Sequence, residues 1–140
     1  MVARWKKKGI SIHYQQRAKA LGAGMGAGVR RNATVMRTRL TNFMARVVRF
    51  RRLRKVGVDT ARLVRTGMRA ITWSNAIIGV PCGLLRGQRQ TAAAASAPGA
   101  GTGGQNLDMA MVVADGSKKG RADPAYDAHS LPIGEWAMAV

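Results

Sequence analysis

The stretch "ATVMRTRLTNFMARVVRFRRLRKV", residues 33–56, repeats apolar residues at intervals of three and four. The repeating positions are Met36, Leu40, Phe43, Val47, Phe50 and Leu53, with Met44 and Val48 beside them. This spacing predicts one amphipathic helix of about six turns with a buried apolar face. Asn32 is a suitable N-cap for this helix, and Gly57 stands where its C-terminal end belongs.

Cationic side chains fill the remaining positions in the second half of this stretch. They are Arg46, Arg49, Arg51, Arg52, Arg54 and Lys55, and Arg30 and Arg31 come just before the stretch. No acid lies among them to form i, i+4 pairs, and like charges at that spacing repel each other. Because a bound anion would relieve this repulsion, we interpret these residues as a phosphate-binding surface. The alternative interpretation is a solvated cationic face.

The chain of 140 residues carries a net charge of +18 and has a pI of about 11.9. Residues 1–90 hold 21 lysines and arginines against one acid, Asp59, whereas residues 91–140 hold three against five. Such a field favours polyanionic partners, nucleic acid before an anionic membrane surface. Arginine dominates the basic half, and its guanidinium makes bidentate phosphate contacts that lysine cannot make. We therefore expect RNA or DNA as the partner, without a cofactor or a small-molecule substrate.

Further helices are predicted after the basic stretch. Asp59 is a suitable N-cap for a short helix, "TARLVRT", which would end at Gly67. The apolar segment "MRAITWSNAIIGV" follows and is interrupted at Pro81 and Gly83, and "LLRGQRQTAAAAS" has the composition of another helix. The sequence therefore predicts a mainly α protein, with a small basic helical bundle at about residues 32–95.

The segments on either side of this bundle have other compositions. Residues 1–31 are basic and include "GAGMGAG", which lacks the spacing of a dinucleotide-binding loop, so we predict a flexible segment. Residues 96–106 are rich in glycine, alanine and proline, as in a flexible linker. Residues 107–140 form a near-neutral tail with short helical pieces separated at Pro132. Because the chain stops within an apolar run, we expect this tail to be truncated.

Candidate catalytic and metal-binding residues are sparse. His13, His129 and Cys82 show no paired spacing of the kind that zinc sites need, and Cys82 is expected to be a small buried residue. In "MVVADGSKKG", Asp115 follows an apolar run, as in the first strand of ribonuclease H domains, where an aspartate binds magnesium. A turn containing Asp and Gly explains the same letters. We therefore predict no catalytic residue and no metal, with a magnesium-dependent nuclease as the alternative.

The same features bear on the cellular location. A single cysteine permits no disulfide within the chain, which fits an intracellular protein of the nucleus or cytoplasm. No apolar run approaches the length of about 20 residues that a membrane span needs. The N-terminus lacks the apolar core of a secretory signal. It is Arg-rich like a mitochondrial transit peptide, but the basic region continues too far into the chain for one.

Several segments together resemble one family. They are "KALG" at Lys19–Gly22, "GVRR" at Gly28–Arg31, "GRADPAYDAH" at Gly120–His129 and "LPIGEWAMAV" at Leu131–Val140. With the arginine-rich stretch and "WSNAIIGV" between them, they resemble the post-palm, C-terminal region of LINE-type reverse-transcriptase-like proteins from dinoflagellate retroelements. The resemblance covers about residues 17–140.

This resemblance implies a thumb-like region that holds the template–primer backbone and performs no chemistry. The paired aspartates that hold two magnesium ions in the polymerase family have no counterpart, since no "DD" occurs in the chain. The family's "LGVD" is "LGAG" here. The predicted function is therefore nonspecific binding of a nucleic-acid backbone by a fragment of a reverse-transcriptase-like protein. The alternatives are a ribosome-type RNA-associated protein and a non-functional remnant of a mobile element.

Overall fold

The computed structural model describes residues 17–20, 23–26, 32–97, 106–115 and 122–139. Its helices are α1 (Thr34–Met44), α2 (Val47–Lys55), α3 (Thr60–Ile78), α4 (Cys82–Ser96), α5 (Leu107–Asp115) and α6 (Pro124–Ala139). Its strands are β1 (Arg17–Ala20) and β2 (Ala23–Gly26), which pair in an antiparallel hairpin. The described residues are overwhelmingly helical, so the predicted mainly α fold is confirmed.

The hairpin lies within the stretch for which the sequence predicted a flexible segment. Arg17 pairs with Gly26 and Ala20 with Ala23, so "AGMG" of the Gly-rich repeat forms the second strand. In "RAKA" the first strand alternates charged residues with alanine over only four positions, and "AGMG" has no polar side chain, so the pattern is too short to have indicated the hairpin. The described residues do not include the rest of residues 1–31 or most of the predicted linker.

The single helix predicted for residues 33–56 is wrong, because the chain turns at Ala45 and Arg46. The N–H groups of Arg46 and Arg49 donate to the carbonyl oxygens three residues earlier, both at 2.9 Å, instead of continuing the α-helical ladder. Of the predicted apolar face, Met36, Leu40, Phe43 and Val47 are buried, whereas Leu53 is 41% exposed. Met44 and Val48, expected to widen the apolar face, are exposed as well.

Gly57 ends α2 as predicted, with a φ of 89° that favours glycine. Its N–H donates to the carbonyl of Arg54 at 2.9 Å, and the N–H of Val58 donates to that of Leu53 at 3.2 Å. This pair of bonds is a Schellman motif. Asp59 then caps α3, because its Oδ1 accepts from the N–H of Ala61 at 3.0 Å. At the other end of the basic stretch, the N–H of Thr34 donates to Asn32 Oδ1 at 3.3 Å.

The predicted end of α3 at Gly67 is wrong, since this helix continues to Ile78. A Cβ at Gly67 would lie 3.2 Å from Cε2 of Phe43, and a Cβ at Gly87 would lie 3.4 Å from Cδ2 of Leu40. The two glycines therefore let α1 approach α3 and α4 closely. Gly67 is a packing residue of the helix interior.

The core joins α1 and α2 to α3 and α4. Its larger buried side chains are Met36, Leu40, Phe43, Val47, Val64, Met68 and Ile71. The alanine run of α4 supplies Ala92, Ala93 and Ala95 to the same interior, where small side chains permit close helix packing. Asn75 and Gln88 are fully buried between α3 and α4 and exchange two side-chain hydrogen bonds of 3.1 and 3.4 Å. Cys82, expected to be buried, is exposed at the start of α4.

The two C-terminal helices pack onto this core. Met111 and Ala114 of α5 are buried in the same cluster as the α4 alanines. The break predicted at Pro132 is wrong, because α6 continues through it. A proline inside a helix removes one hydrogen bond of the ladder, and residues 133–139 beyond it are all exposed. The second half of α6 therefore makes little packing contact with the described core.

Candidate nucleic-acid interface

The outward side of α2 is cationic. Arg46, Arg49, Arg52 and Lys55 are all exposed, the exposed apolar residues Val48 and Leu53 lie between them in the chain, and the exposed Val56 follows them. All six acids of the chain belong to the described residues. Within these residues, Arg89 is the only lysine or arginine that forms a salt bridge. The repulsion among the α2 cations is therefore not relieved by any described carboxylate.

Two of the predicted phosphate-binding residues also bond to the backbone at the end of α4. Arg54 is partly buried and donates from Nη1 to the carbonyl oxygen of Ala97 at 2.6 Å. Arg51 donates from Nε to the carbonyl oxygen of Ala94 at 3.4 Å. Carbonyls at a helix C-terminus lack partners in the ladder and carry partial negative charge, so a guanidinium is a favourable neighbour. The structure thus separates these two side chains from the four outward ones.

Arg30 and Arg31, which the sequence prediction added to the phosphate-binding surface, lie outside the described residues. The structure instead adds cations that the sequence prediction did not include. Arg62, Arg65 and Arg69 are exposed on α3, and their spacing of three and four places them on one side of that helix. Trp73, 36% exposed, continues the same row by four more residues. The spacing was readable in the sequence, but the helix end predicted at Gly67 separated Arg69 and Trp73 from the first two.

Three acids of the C-terminal half lie at contacts that attach α5 and α6. Arg89 of α4 donates to Asp123 at 2.8 Å and also to Asp108. The hydrogen bond with Asp123 is the main cause that raises the pKa of Arg89, and burial of the guanidinium opposes it. Asp127 accepts from the hydroxyl of Thr72 on α3 at 2.7 Å. These carboxylates are therefore engaged with α3 and α4, and the outward cations of α2 remain without acidic partners.

A pocket of about 260 Å³ lies between the start of α3 and the end of α5. It is lined by Asp59, Ala61, Arg62, Arg65, Val113, Ala114, Asp115 and Ala122. Asp59 and Asp115 each accept a backbone N–H, from Ala61 at 3.0 Å and from Ala122 at 2.9 Å. The two arginines thus bring exposed donors to the wall of this recess.

The pocket does not match the ribonuclease H alternative. That interpretation placed Asp115 at the end of a strand, whereas Asp115 is buried at the end of helix α5. Across the described residues, no three His, Cys, Asp or Glu side chains are grouped so that they could hold a metal ion. Among the described helices, none combines the length and the apolar character that a membrane span requires.

Comparisons with protein-family models, with curated proteins and with solved structures returned no match for this chain. The resemblance to retroelement reverse-transcriptase-like proteins therefore stays a prediction from the sequence.

Proposed function

We propose that this protein binds the phosphate backbone of RNA or DNA with little base specificity. The observation that supports this most directly is the outward side of α2. There, Arg46, Arg49, Arg52 and Lys55 are exposed and without described carboxylate partners. Four like charges within three turns of one helix repel each other, and a phosphate backbone that neutralises them relieves this cost. Base edges are not required for such contacts, so the binding is indifferent to sequence.

Binding of this kind proceeds through counterion release. Each lysine or arginine that neutralises a phosphate frees condensed cations, so affinity falls as salt concentration rises. The slope of log affinity against log salt is about −0.7 per contact for single strands and about −0.9 for B-form DNA. For the four α2 cations together, the contribution to this slope is about three units.

A set of two matched variants tests the proposal. In one, Arg46, Arg49, Arg52 and Lys55 all become Gln; in the other, the three arginines become Lys, which keeps the charge. We expect the Gln variant to lose affinity and to lower the salt slope by about three units, as measured by anisotropy of a labelled oligonucleotide. The Lys variant should keep most of the affinity and most of the salt slope. Equal slopes for the wild type and the Gln variant would exclude α2 as the phosphate-binding surface.

We further propose that this binding is the thumb-like role of a C-terminal fragment of a retroelement reverse-transcriptase-like protein. The support for this part is the sequence resemblance together with the cationic helices. Reading the genomic DNA upstream of Met1 tests it. An in-frame polymerase palm with paired aspartates is the expected result, and an unrelated upstream sequence would leave backbone binding without this origin.

A further inference from the structure

The exposed row on α3 combines three arginines with a tryptophan. Arg62, Arg65, Arg69 and Trp73 follow at intervals of three, four and four residues, which spans about 16 Å at the helical rise per residue. The three arginines are exposed, and no described residue forms a hydrogen bond or ion pair with their side chains. The row starts at the 260 Å³ pocket, which Arg62 and Arg65 line, and ends at the indole.

Trp73 is partly exposed, whereas the residues next to it in α3 are buried. Ile71, Thr72, Ser74 and Asn75 are all buried, whereas Trp73 is 36% exposed. Asn75 bonds to Gln88 of α4, and Thr72 bonds to Asp127 of α6. Neighbouring helices therefore cover two sides of α3 here, and the indole occupies the side that stays open to solvent.

We propose that this row is a subsite for single-stranded nucleic acid, in which a base stacks on Trp73 and the adjoining phosphates bind Arg62, Arg65 and Arg69. The inference rests on the proposed backbone binding and names the form of nucleic acid that the protein prefers. A base can stack on a protein ring only when its face is free, which holds for single strands and not within a duplex. Every base offers such a face, so the contact adds affinity without sequence preference.

Substitutions at two tryptophans test the stacking contact. Trp73→Leu keeps an apolar side chain but removes the ring, whereas Trp73→Phe keeps a ring. Trp136, 70% exposed near the end of α6, serves as the control position, because no described lysine or arginine lies on its helix. We expect Trp73→Leu to weaken binding of an oligo(dT) by about fivefold to a hundredfold, with little change for a duplex of the same length. Trp73→Phe retains most of the affinity, and Trp136→Leu leaves it unchanged.

Fluorescence gives a second readout that does not depend on affinity. The chain has three tryptophans, so Trp5→Phe with Trp136→Phe leaves Trp73 as the only indole. Stacking of a base should quench this emission on addition of oligo(dT), and the duplex should quench it much less. Equal losses with Leu and Phe at position 73, or equal quenching by both ligands, would overturn the proposal, because packing alone would then explain the indole.

The outcomes separate this inference from the proposed function. If the α2 Gln variant loses binding while Trp73→Leu binds oligo(dT) like the wild type, backbone binding stands and the α3 subsite is wrong. If the wild type binds neither oligo(dT) nor duplex, both proposals fail. Vesicles of anionic lipid are the competing ligand, and a blue shift of the Trp73 emission on addition of vesicles, without quenching by oligo(dT), would assign the row to a membrane surface.

Discussion

Two glycines inside helices show how single atoms set the helix spacing. Gly67 and Gly87 both lie where an alanine would suit the helix better by about 1 kcal/mol. The added methyl group would meet Leu40 at 3.4 Å from position 87, an ordinary contact, but Phe43 at 3.2 Å from position 67. Phe43 is buried and stacks on Phe50 with ring centroids 5.5 Å apart, so its ring has little freedom to move.

We therefore expect Gly87→Ala to stabilise the protein by about 0.5–1 kcal/mol and Gly67→Ala to be less stable than Gly87→Ala. Urea unfolding followed by circular dichroism measures both. Gly57→Ala serves as a reference for backbone strain, because its φ of 89° is unfavourable for alanine although no atom lies within 4 Å of the added Cβ. Equal stability of the variants at positions 67 and 87 would contradict the role of Phe43 in setting the α1–α3 distance.

At the scale of the element, the cations of α2 differ in their contacts within the fold. Arg54 donates to the carbonyl of Ala97 at the end of α4, whereas Arg52 is exposed and contacts no described carboxylate. We expect Arg54→Gln to lower the free energy of unfolding by about 1 kcal/mol and Arg52→Gln to leave it nearly unchanged. We also expect Arg52→Gln to reduce the slope of log oligonucleotide affinity against log salt by the value of one phosphate contact, about 0.7 to 0.9.

Both variants remove one charge from the same helix, so each is the control for the other. Urea unfolding gives the unfolding free energy of each variant, and oligonucleotide anisotropy at several salt concentrations gives the salt slope of each. A larger stability loss for Arg52→Gln than for Arg54→Gln would refute the division of roles.

The ends of the elements were predictable where a residue's own chemistry decides them. Asp59 supplies an oxygen to an N–H two residues away, and Gly57 adopts a φ that other residues avoid. Contacts between helices decide the rest. The chain turns at Ala45, and α2 then packs against α4. Gly67 lies close to Phe43, and Pro132 lies inside a helix whose end is exposed. None of these contacts is visible in the spacing of the residues along the chain.

The candidate site was predictable to a similar extent. An acid-free cationic stretch indicated the surface, and the side chains of four of its six cations are exposed and form no hydrogen bond with a described residue. The other two, Arg51 and Arg54, could not be separated from them, because their partners lie more than forty residues away on α4. The arginines of α3 were missed because one wrong helix end concealed their common face.

At the scale of the molecule, the C-terminal helices are held by carboxylates of different exposure. Asp123 contacts Arg89 with its side chain 18% exposed, whereas Asp108 contacts the same guanidinium with its side chain 73% exposed. We expect Asp123→Asn to cost about 1–3 kcal/mol of unfolding free energy and Asp108→Asn less than about 1 kcal/mol. Chemical denaturation of the two variants checks this order, and the reverse order would contradict it.

The direction of the Arg89 pKa shift fixes the pH dependence of this contact. Because the pKa of Arg89 is raised by folding, its contribution is fully present below the arginine pKa of the unfolded chain. It is lost only as pH rises through the still higher pKa of the folded state. The titration of Arg89 should therefore leave the stability of α5 and α6 constant from neutral pH into the mildly alkaline range, measured as the pH dependence of the unfolding midpoint.

Net charge couples binding to stability over the whole chain. A charge of +18, with no described carboxylate paired to the α2 cations, destabilises the compact state through self-repulsion. A polyanion that binds the folded state neutralises this charge and stabilises the protein by mass action. We expect oligo(dT) to raise the melting temperature and added salt to reduce that rise, since screening weakens the attraction. The α2 Gln variant should melt higher than the wild type without ligand, because repulsion is lower, but gain less from oligo(dT). A Gln variant that melts lower without ligand and gains as much as the wild type would show that the α2 cations neither repel one another nor bind the strand.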